Sequence, residues 1–285
     1  MDQQSPNIRR RRLAHVLRSL REKADLTLEQ AAKQSKVPRS TLGRMETAEA
    51  RRLRKADLDS LADLYKVDPA TREGMHELAQ QSKQRGWWSK YKDIFGDQAL
   101  PDWEAEASMI RRFEAQTIPG LLQTPEYAAA VFRAGRAIDE AEVIRRVEAR
   151  MERRRIFNRI KPPHLIAVLD EGVLRRVIGG PEVMRGQLVH LKNMAIRHHI
   201  DIQVLPYEAG AHLALGGAFT ILDFPEPRDQ PIIYVSTAAD GLYLELPEDL
   251  ERYNVAFSNV QGVALSTALS LEFIDDVLRS LEGRS

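Results

Sequence analysis

The stretch KVPRSTLGRME, residues 36–46, carries several hydrogen-bond donors and few large apolar side chains. Its apolar residues are spaced so that they can anchor one face of a short helix. The polar side chains left on the free face are Arg39, Ser40, Thr41 and Arg44. A short helix with donors on its free face fits the DNA major groove, where base edges and phosphates accept hydrogen bonds. The alternative is a plain solvated surface, and the neighbouring elements decide between the two.

The residues around this stretch predict a compact bundle of short helices. Apolar residues recur at helical spacing over residues 9–23, and Thr27 with Gln30 has the capping-box pattern that starts a second helix. Pro38 suits the start of the third helix, and two more predicted helices complete the bundle. Small residues on the second helix allow the third to approach closely, which a helix-turn-helix requires.

The segment LTLEQAAKQSKVPRSTLGRME, residues 26–46, resembles the XRE family, whose helix-turn-helix is of the phage-repressor (lambda-repressor-like) type. The resemblance covers residues 9–82. It implies that base edges are contacted by Arg39, Ser40 and Arg44. It also implies phosphate contacts by Thr27, by Thr41 and by the loop after the third helix, whose basic residues are Arg51, Arg52, Arg54 and Lys55. For this loop, phosphate contact and plain solvation are equal alternatives.

Three further features of this region bear on DNA binding. Leu28 stands where members of the family often carry Gln, which departs from a frequent phosphate contact. Gly43, expected on the exposed side of the third helix, costs about 1 kcal/mol of helix stability relative to Ala. The basic run at residues 9–12 is either a solvated helix start or a phosphate contact, since positive charges at a helix N-terminus oppose its dipole.

Charge is distributed unevenly along the 285 residues, although the formal net charge is only +1. Residues 1–82 hold 17 Lys and Arg against 12 Asp and Glu, and the rest of the chain holds 25 against 29. A polyanion is therefore expected to meet the N-terminal part. The absence of Cys excludes disulfides and thiol chemistry, and no signal peptide or long apolar span is present. These features predict a cytoplasmic protein without a membrane partner.

The remaining sequence predicts an α+β domain with a mixed sheet. Helical spacing is expected to run through residues 105–113, and further helices follow up to residue 157. Short β-rich runs at 164–170 and 200–206 enclose two helices, which predicts a β-α-α-β crossover. Three later strands are expected to be antiparallel neighbours, and two helices close the chain. The predicted fold is a multi-domain chain with an all-α helix-turn-helix bundle at 1–82, a junction at 83–102 and the α+β domain at 103–285.

A second, more specific motif opens this domain. WEAEASMIRRFEAQTIPGLLQTPEYA, residues 103–128, is followed by DEGVLRR, QLVHL, IQVLP and GAH. Together they resemble the C-terminal domain of actinobacterial XRE regulators that are antitoxin-like and include the WhiJ type. The resemblance covers nearly all of the chain past Trp87. It implies a candidate partner, a very small acidic protein encoded next door, while it assigns no activity to the domain.

Within that motif, the turn IPGLLQTPEY is unusually apolar, so something must cover its side chains. Core packing and a partner-binding groove are the two alternatives. The junction is aromatic, and interdomain packing is favoured there over a base-stacking platform. The candidate partner-binding residues are Ile118, Leu121, Leu122, Tyr127, Trp87 and Trp88.

Enzymatic readings find little support in the sequence. The histidines show no metal-ligand spacing, no phosphate-cradling glycine pattern occurs, and Asp170 with Glu171 is interpreted as a helix cap. We therefore expect a non-enzymatic regulator without a cofactor that binds double-stranded DNA as a homodimer, because one recognition helix reads only a few base pairs. The alternatives are a protein-interaction adaptor whose helix-turn-helix no longer binds DNA, and a small-molecule enzyme on a DNA-binding anchor.

Overall fold

The computed structural model describes residues 6–50, 52–83, 87–95, 100–135, 139–226, 229–237 and 241–282. The chain divides into two compact units, Met1–Glu106 and Ala107–Ser285. The first is helical and the second combines helices with a mixed sheet, which confirms the predicted fold class. The predicted domain limits at 82 and 103 stay a prediction. None of the described helices has the length and apolar character needed to cross a membrane.

The first unit consists of short helices. They are α1 (Pro6–Lys23), α2 (Leu28–Ser35), α3 (Arg39–Glu46), α4 (Lys55–Leu64), α5 (Pro69–Gln81), α6 (Lys92–Phe95) and α7 (Leu100–Glu104), with a 3₁₀ turn at Trp87–Tyr91. Its core is formed by apolar residues from the first five helices, and the small Ala31 and Ala32 of α2 are buried within it. Small side chains at this position allow α2 and α3 to pack closely, as the sequence predicts.

The start and end of α2 follow from local chemistry. The Thr27 hydroxyl accepts a hydrogen bond from the Gln30 backbone N–H at 3.2 Å. In return the Gln30 side-chain oxygen accepts one from the Thr27 N–H at 2.8 Å, which completes the predicted capping box. At the other end Lys36 adopts a left-handed conformation with φ 61°, so the chain turns sharply into α3.

The second unit contains a six-stranded sheet among the described residues, in the order β3-β2-β1-β4-β5-β6. Its strands are β1 (Met109–Glu114), β2 (His164–Asp170), β3 (Ile200–Leu205), β4 (Phe219–Asp223), β5 (Ile232–Ser236) and β6 (Gly241–Leu244). Its helices are α8 (Pro125–Gly135), α9 (Glu140–Arg153), α10 (Glu171–Arg175), α11 (Pro181–Ala195), α12 (Pro247–Val263) and α13 (Thr267–Glu282). β2 and β3 are parallel neighbours joined through α10 and α11, and β4, β5 and β6 are antiparallel neighbours, as predicted.

One predicted element is wrong. Residues 105–113 were expected to be helical, but Met109–Glu114 form β1, which pairs parallel with β2 and antiparallel with β4. Ile110 and Phe113 are both buried, and in a strand residues three apart point to opposite faces. Because both faces of this central strand are covered, its apolar residues need not alternate, and their spacing imitates that of a helix.

Candidate functional site

α3 buries one face and exposes the residues predicted to contact DNA. Leu42 and Met45 are buried in the core of the first unit. On the other side Arg39, Ser40 and Arg44 are exposed and Thr41 is half-exposed. The structure therefore brings these four predicted residues together on one short helix with its back held by the core.

A buried ion pair holds the C-terminal end of α3 against α1. Arg21 Nε donates to both carboxylate oxygens of Glu46, at 2.9 and 3.0 Å, and Arg21 Nη1 donates to the Leu26 carbonyl at 2.9 Å. The Glu46 side chain is only 5% exposed. The hydrogen bond to Glu46 raises the pKa of Arg21, so this guanidinium group stays charged. The ion pair between Arg21 and Glu46, called the clamp below, fixes the orientation of α3. It was not predicted from the sequence.

The cations on this face differ from other arginines of the first unit. In the described part of the chain, no hydrogen bond or ion pair involves the side chains of Arg39, Arg52 or Arg54, and the Arg44 side chain donates only to the Ser40 carbonyl at 3.3 Å. By contrast, carboxylates bind the guanidinium groups of Arg9, Arg18, Arg21 and Arg72. The charges on and after α3 thus remain available to an external anion. Arg51, also predicted to contact DNA, lies outside the described residues.

Two neighbouring positions complete the description of this face. Thr27 is exposed at the start of α2, and its capping hydroxyl retains a hydrogen that a phosphate oxygen could accept. The expectation that Gly43 lies on the exposed side of α3 is wrong. A Cβ at Gly43 would lie 3.6 Å from Leu28 Cδ2, so this position faces α2 at ordinary van der Waals distance.

The basic run at residues 9–12 is not simply solvated. All four arginines are partly buried, and Arg9 pairs with Glu106 at 3.7 Å while both side chains are nearly covered. Nearby, the Asn7 N–H donates to the buried Asp102 carboxylate at 3.2 Å. An acidic segment of the first unit therefore faces the start of α1, which neither of the two alternatives for this run anticipated.

The aromatic residues of the predicted junction form a small cluster inside the first unit. Trp87 packs edge-on against Trp88, Tyr91 and Phe95 at ring-centroid distances of 5.9–6.1 Å. Trp88 is buried together with Ala105. Packing within the unit accounts for Trp88, which has too little exposed surface to serve as a base-stacking platform or a partner anchor.

The turn IPGLLQTPEY is covered by the core of the second unit. Its residues Ile118, Leu121, Leu122 and Tyr127 have no exposed surface, which favours core packing over a partner-binding groove, the two alternatives that the sequence left open. Side-chain amides satisfy the turn's backbone groups. Gln123 Nε2 donates to the Ile118 carbonyl at 2.7 Å, and Gln187 of α11 bonds to Thr124 N and the Leu122 carbonyl, both at 2.7 Å. A rigid turn of this kind serves as a structural frame.

Beside this frame lies a cavity of 780 Å³ that sequence reasoning missed. The strand register aligns Arg112 of β1 with Thr220 of β4, and Thr220 with Tyr234 of β5, so the three side chains share one face of the sheet. All three line the cavity, as do arginines from α9 and α12. The lining arginines are Arg112, Arg150, Arg153 and Arg252. Among the described lining residues the one carboxylate is Glu114.

A second cavity of the same unit is an apolar groove of 770 Å³ between α8, α9 and the start of α11. Its floor includes Val143, Ile144 and Met151, and Ile144 is half-exposed. Its rim carries Glu126, Glu140, Glu148 and Arg133, and Arg133 is paired with Glu140. The rim is therefore acidic, which disfavours an acidic occupant.

Titratable groups elsewhere in the described residues were compared with the requirements of a metal site. The described residues contain no group of three or more His, Asp or Glu side chains able to hold a metal ion. Asp170 caps α10 through Gly172 N at 2.8 Å, and Glu171 bonds to Arg175 and to Tyr207 N, so the predicted capping role is confirmed.

Burial lowers the pKa of His190 to about 4, helped by the charges of Arg154 and Arg197.

These features define a chain with an N-terminal helix-turn-helix and a separate α+β unit, and comparison with known families agrees. Residues 12–75 match a family described as a helix-turn-helix domain, which points to a DNA-binding regulator. Residues 98–276, more than half of the chain, match a domain of unknown function (DUF5753). The chain belongs to that family. Neither the curated proteins nor the solved structures yielded a match.

Proposed function

We propose that this protein is a sequence-specific DNA-binding transcriptional regulator of the XRE type, in which α3 enters the major groove. The observation that carries the proposal is the row of exposed cations on and after α3 without carboxylate partners in the described residues. An exposed arginine fork is suited to guanine edges and to phosphates, which both accept paired hydrogen bonds. A DNA partner also implies that the protein works in the cytoplasm.

Different roles are proposed for the two groups of polar residues. The side chains that reach base edges are Arg39, Ser40 and Arg44. The side chains that contact phosphates are Thr27, Thr41, Arg51, Arg52 and Arg54. Arg21 and Glu46 act indirectly, since their ion pair fixes the direction of α3. A homodimer would read two half-sites about one helical turn apart, because a single α3 spans only a few base pairs.

The test is binding to a DNA site that the wild-type chain selects from a random library. We expect Arg39→Ala and Arg44→Ala each to weaken binding to that site by about 1 to 3 kcal/mol while non-specific DNA is bound almost as before. Arg18→Ala is the matched control, because Arg18 is exposed on α1 and paired with Glu22. Failure to select any site, or equal operator binding by the Arg39/Arg44 double variant, would contradict the proposal.

The phosphate contacts have their own signature. Arg52→Ala should weaken specific and non-specific DNA alike and reduce the slope of log K against log salt by about 1. If the helix-turn-helix is instead a docking module of an adaptor protein, DNA binding will be weak at all salt concentrations and none of these substitutions will change it.

For the second unit, we propose a sensing role in which a bound ligand or partner alters DNA binding. An antitoxin-like regulator with a small acidic partner, as in actinobacterial WhiJ-type proteins, is the version implied by the sequence resemblance. The acidic rim of the α8–α9 groove argues against that partner docking there. The arginine-lined cavity favours a small ligand. Co-purification with the product of a neighbouring small reading frame would favour the partner.

A further inference from the structure

We infer that the cavity between β1, β4, β5, α9 and α12 binds a small organic anion that carries phosphate or carboxylate groups. The inference extends the sensing role that is proposed for the second unit. It rests on that proposal only for the effect of the bound ligand on DNA binding. The binding step itself depends on the cavity alone.

The first argument is charge. Arg112, Arg150, Arg153 and Arg252 line the cavity, and Glu114 is the single carboxylate among the lining residues that the structure describes. A guanidinium group cannot lose its proton in a protein, so these charges cannot be removed by a pKa shift. A cavity wall that carries several guanidinium groups creates a positive potential, which attracts anions.

The second argument is the placement of Arg150 and Arg153. They lie three residues apart on α9 and therefore share one helix face. A Cβ at Gly120 would lie 3.5 Å from Nη1 of each of them, so both guanidinium groups converge on the Pro119-Gly120 turn. Arg153 is only 7% exposed. Arg150 Nη1 donates a hydrogen bond to the Gln123 side-chain oxygen at 2.6 Å. The apolar turn IPGLLQTPEY, which contains Gln123, therefore serves as the frame that holds this arginine pair.

The third argument is a buried donor on β1. Arg112 Nε donates to Glu114 at 2.5 Å, which orients the guanidinium group. Within the described part of the chain, its Nη1 is buried and has no hydrogen-bond partner. A buried donor without an acceptor is costly, and an anion oxygen in the cavity would satisfy it.

The remaining lining residues fit an organic body rather than an inorganic ion alone. The cavity of 780 Å³ lies within the range of pockets for small molecules. Hydroxyl groups of Thr117, Thr220, Tyr234 and Ser236 offer polar contacts, while Leu213 and Phe219 provide apolar surface. Fixed arginines that meet charged groups, together with a mixed polar and apolar wall, are the features of a specific anion site.

The experiment measures binding by the full chain without DNA, by thermal shift and calorimetric titration with three probes. The probes are citrate for carboxylates, pyrophosphate for phosphates and adenosine monophosphate for a phosphate on an organic body. We expect at least one probe to bind saturably and to raise the melting temperature. Arg150→Gln should weaken that probe about 10- to 100-fold, since it removes a charge-assisted hydrogen-bonding group.

Two further variants keep the test decisive. Arg146→Gln is the matched control, because Arg146 lies on the same helix, pairs with Glu142 and does not line the cavity. This variant should bind the probe within about twofold of wild type. Arg252→Gln probes the same charge at an exposed position of α12, which leaves the core intact if Arg150→Gln fails to fold. Absence of binding by all three probes would overturn the inference, as would equal losses in Arg146→Gln and the cavity variants. Because DNA is absent, neither result depends on whether α3 binds DNA.

Discussion

α3 in the first unit and the turn IPGLLQTPEY in the second use short motifs in opposite ways. α3 buries Leu42 and Met45 and exposes the side chains that carry its chemistry. The turn buries its large apolar side chains completely, and its exposed residues are Pro125 and Glu126 near its end. The arginines beside it belong to other elements, namely β1, α9 and α12. A motif can thus contain the functional groups itself, or it can build the frame that holds functional groups supplied by other elements.

The difference also concerns how charge is balanced. In the first unit the clamp between Arg21 and Glu46 is complete within the protein, while the cations of α3 face outward. In the second unit, cations face inward to a cavity. The cations of α3 are exposed to solvent, whereas Arg112 and Arg153 are largely covered. Substitutions that disturb each frame should therefore act on stability first and on binding second.

The largest effect is expected from breaking the frame of α3. Arg21→Ala would leave the Glu46 carboxylate nearly buried without its partner, which costs about 3 to 5 kcal/mol of unfolding free energy. Urea denaturation of the variant and of wild type measures the loss. Arg18→Ala removes an exposed arginine from the same helix and should change stability by less than about 1 kcal/mol. Similar losses of unfolding free energy in both variants would show that the clamp stabilises the fold no more than an exposed ion pair does.

The corresponding substitution in the turn IPGLLQTPEY is Leu121→Ala. Leu121 has no exposed surface, so the substitution should leave a cavity and cost about 2 to 5 kcal/mol. Leu269→Ala is the matched control, because Leu269 is half-exposed on α13 and its truncation should cost far less. If Leu121→Ala leaves the melting temperature unchanged and removes binding of a partner protein, the turn is a docking surface after all.

A smaller effect is expected from acid. The folded-state pKa of His190 is lowered to about 4, below the value of about 6.5 for an unfolded chain. Between these values the unfolded chain binds a proton that the folded chain does not, so stability falls as pH drops from about 6.5 to about 4. His190→Gln should flatten this part of the stability curve, and substitution of the exposed His15 by Gln should not. Stability curves of equal slope would contradict the assignment.

The smallest effect is a gain. Gly43 lies inside α3, and a Cβ there would make ordinary contact with Leu28. Gly43→Ala should therefore stabilise the first unit by about 1 kcal/mol, while the exposed side of α3 stays unchanged. Thermal melting measures the gain, and DNA affinity within about twofold of wild type is the accompanying expectation. A large loss of affinity would mean that Gly43 contacts DNA.

Local signals made much of the first unit predictable from sequence. The capping box at Thr27, Pro38 before α3 and the apolar spacing of α1 each act over a few residues, and each is found in the structure. The clamp was not predictable, because Arg21 and Glu46 are 25 residues apart and each looks like an ordinary surface charge. Its only sequence signal is the lack of a nearby partner for Glu46.

The second unit was predictable in class but less so in detail. The crossover and the antiparallel strands follow from runs of β-rich residues between turns, whereas β1 was misread because a strand covered on both faces lacks alternation. The cavity combines residues from β1, α9 and α12, whose proximity depends on the sheet order. The apolar composition of the turn correctly implied a cover, and the core supplies it.

The central position of β1 has a consequence for synthesis of the chain. β1 leaves the ribosome before all other strands of the sheet, but one of its two neighbours, β4, follows much later, since Met109 pairs with Asp223. At typical elongation rates the delay is on the order of ten seconds, whereas a small helical bundle folds within milliseconds. During each round of translation, a finished helix-turn-helix is therefore followed by a nascent strand with an open edge, and this is the interval in which a chaperone would be most useful.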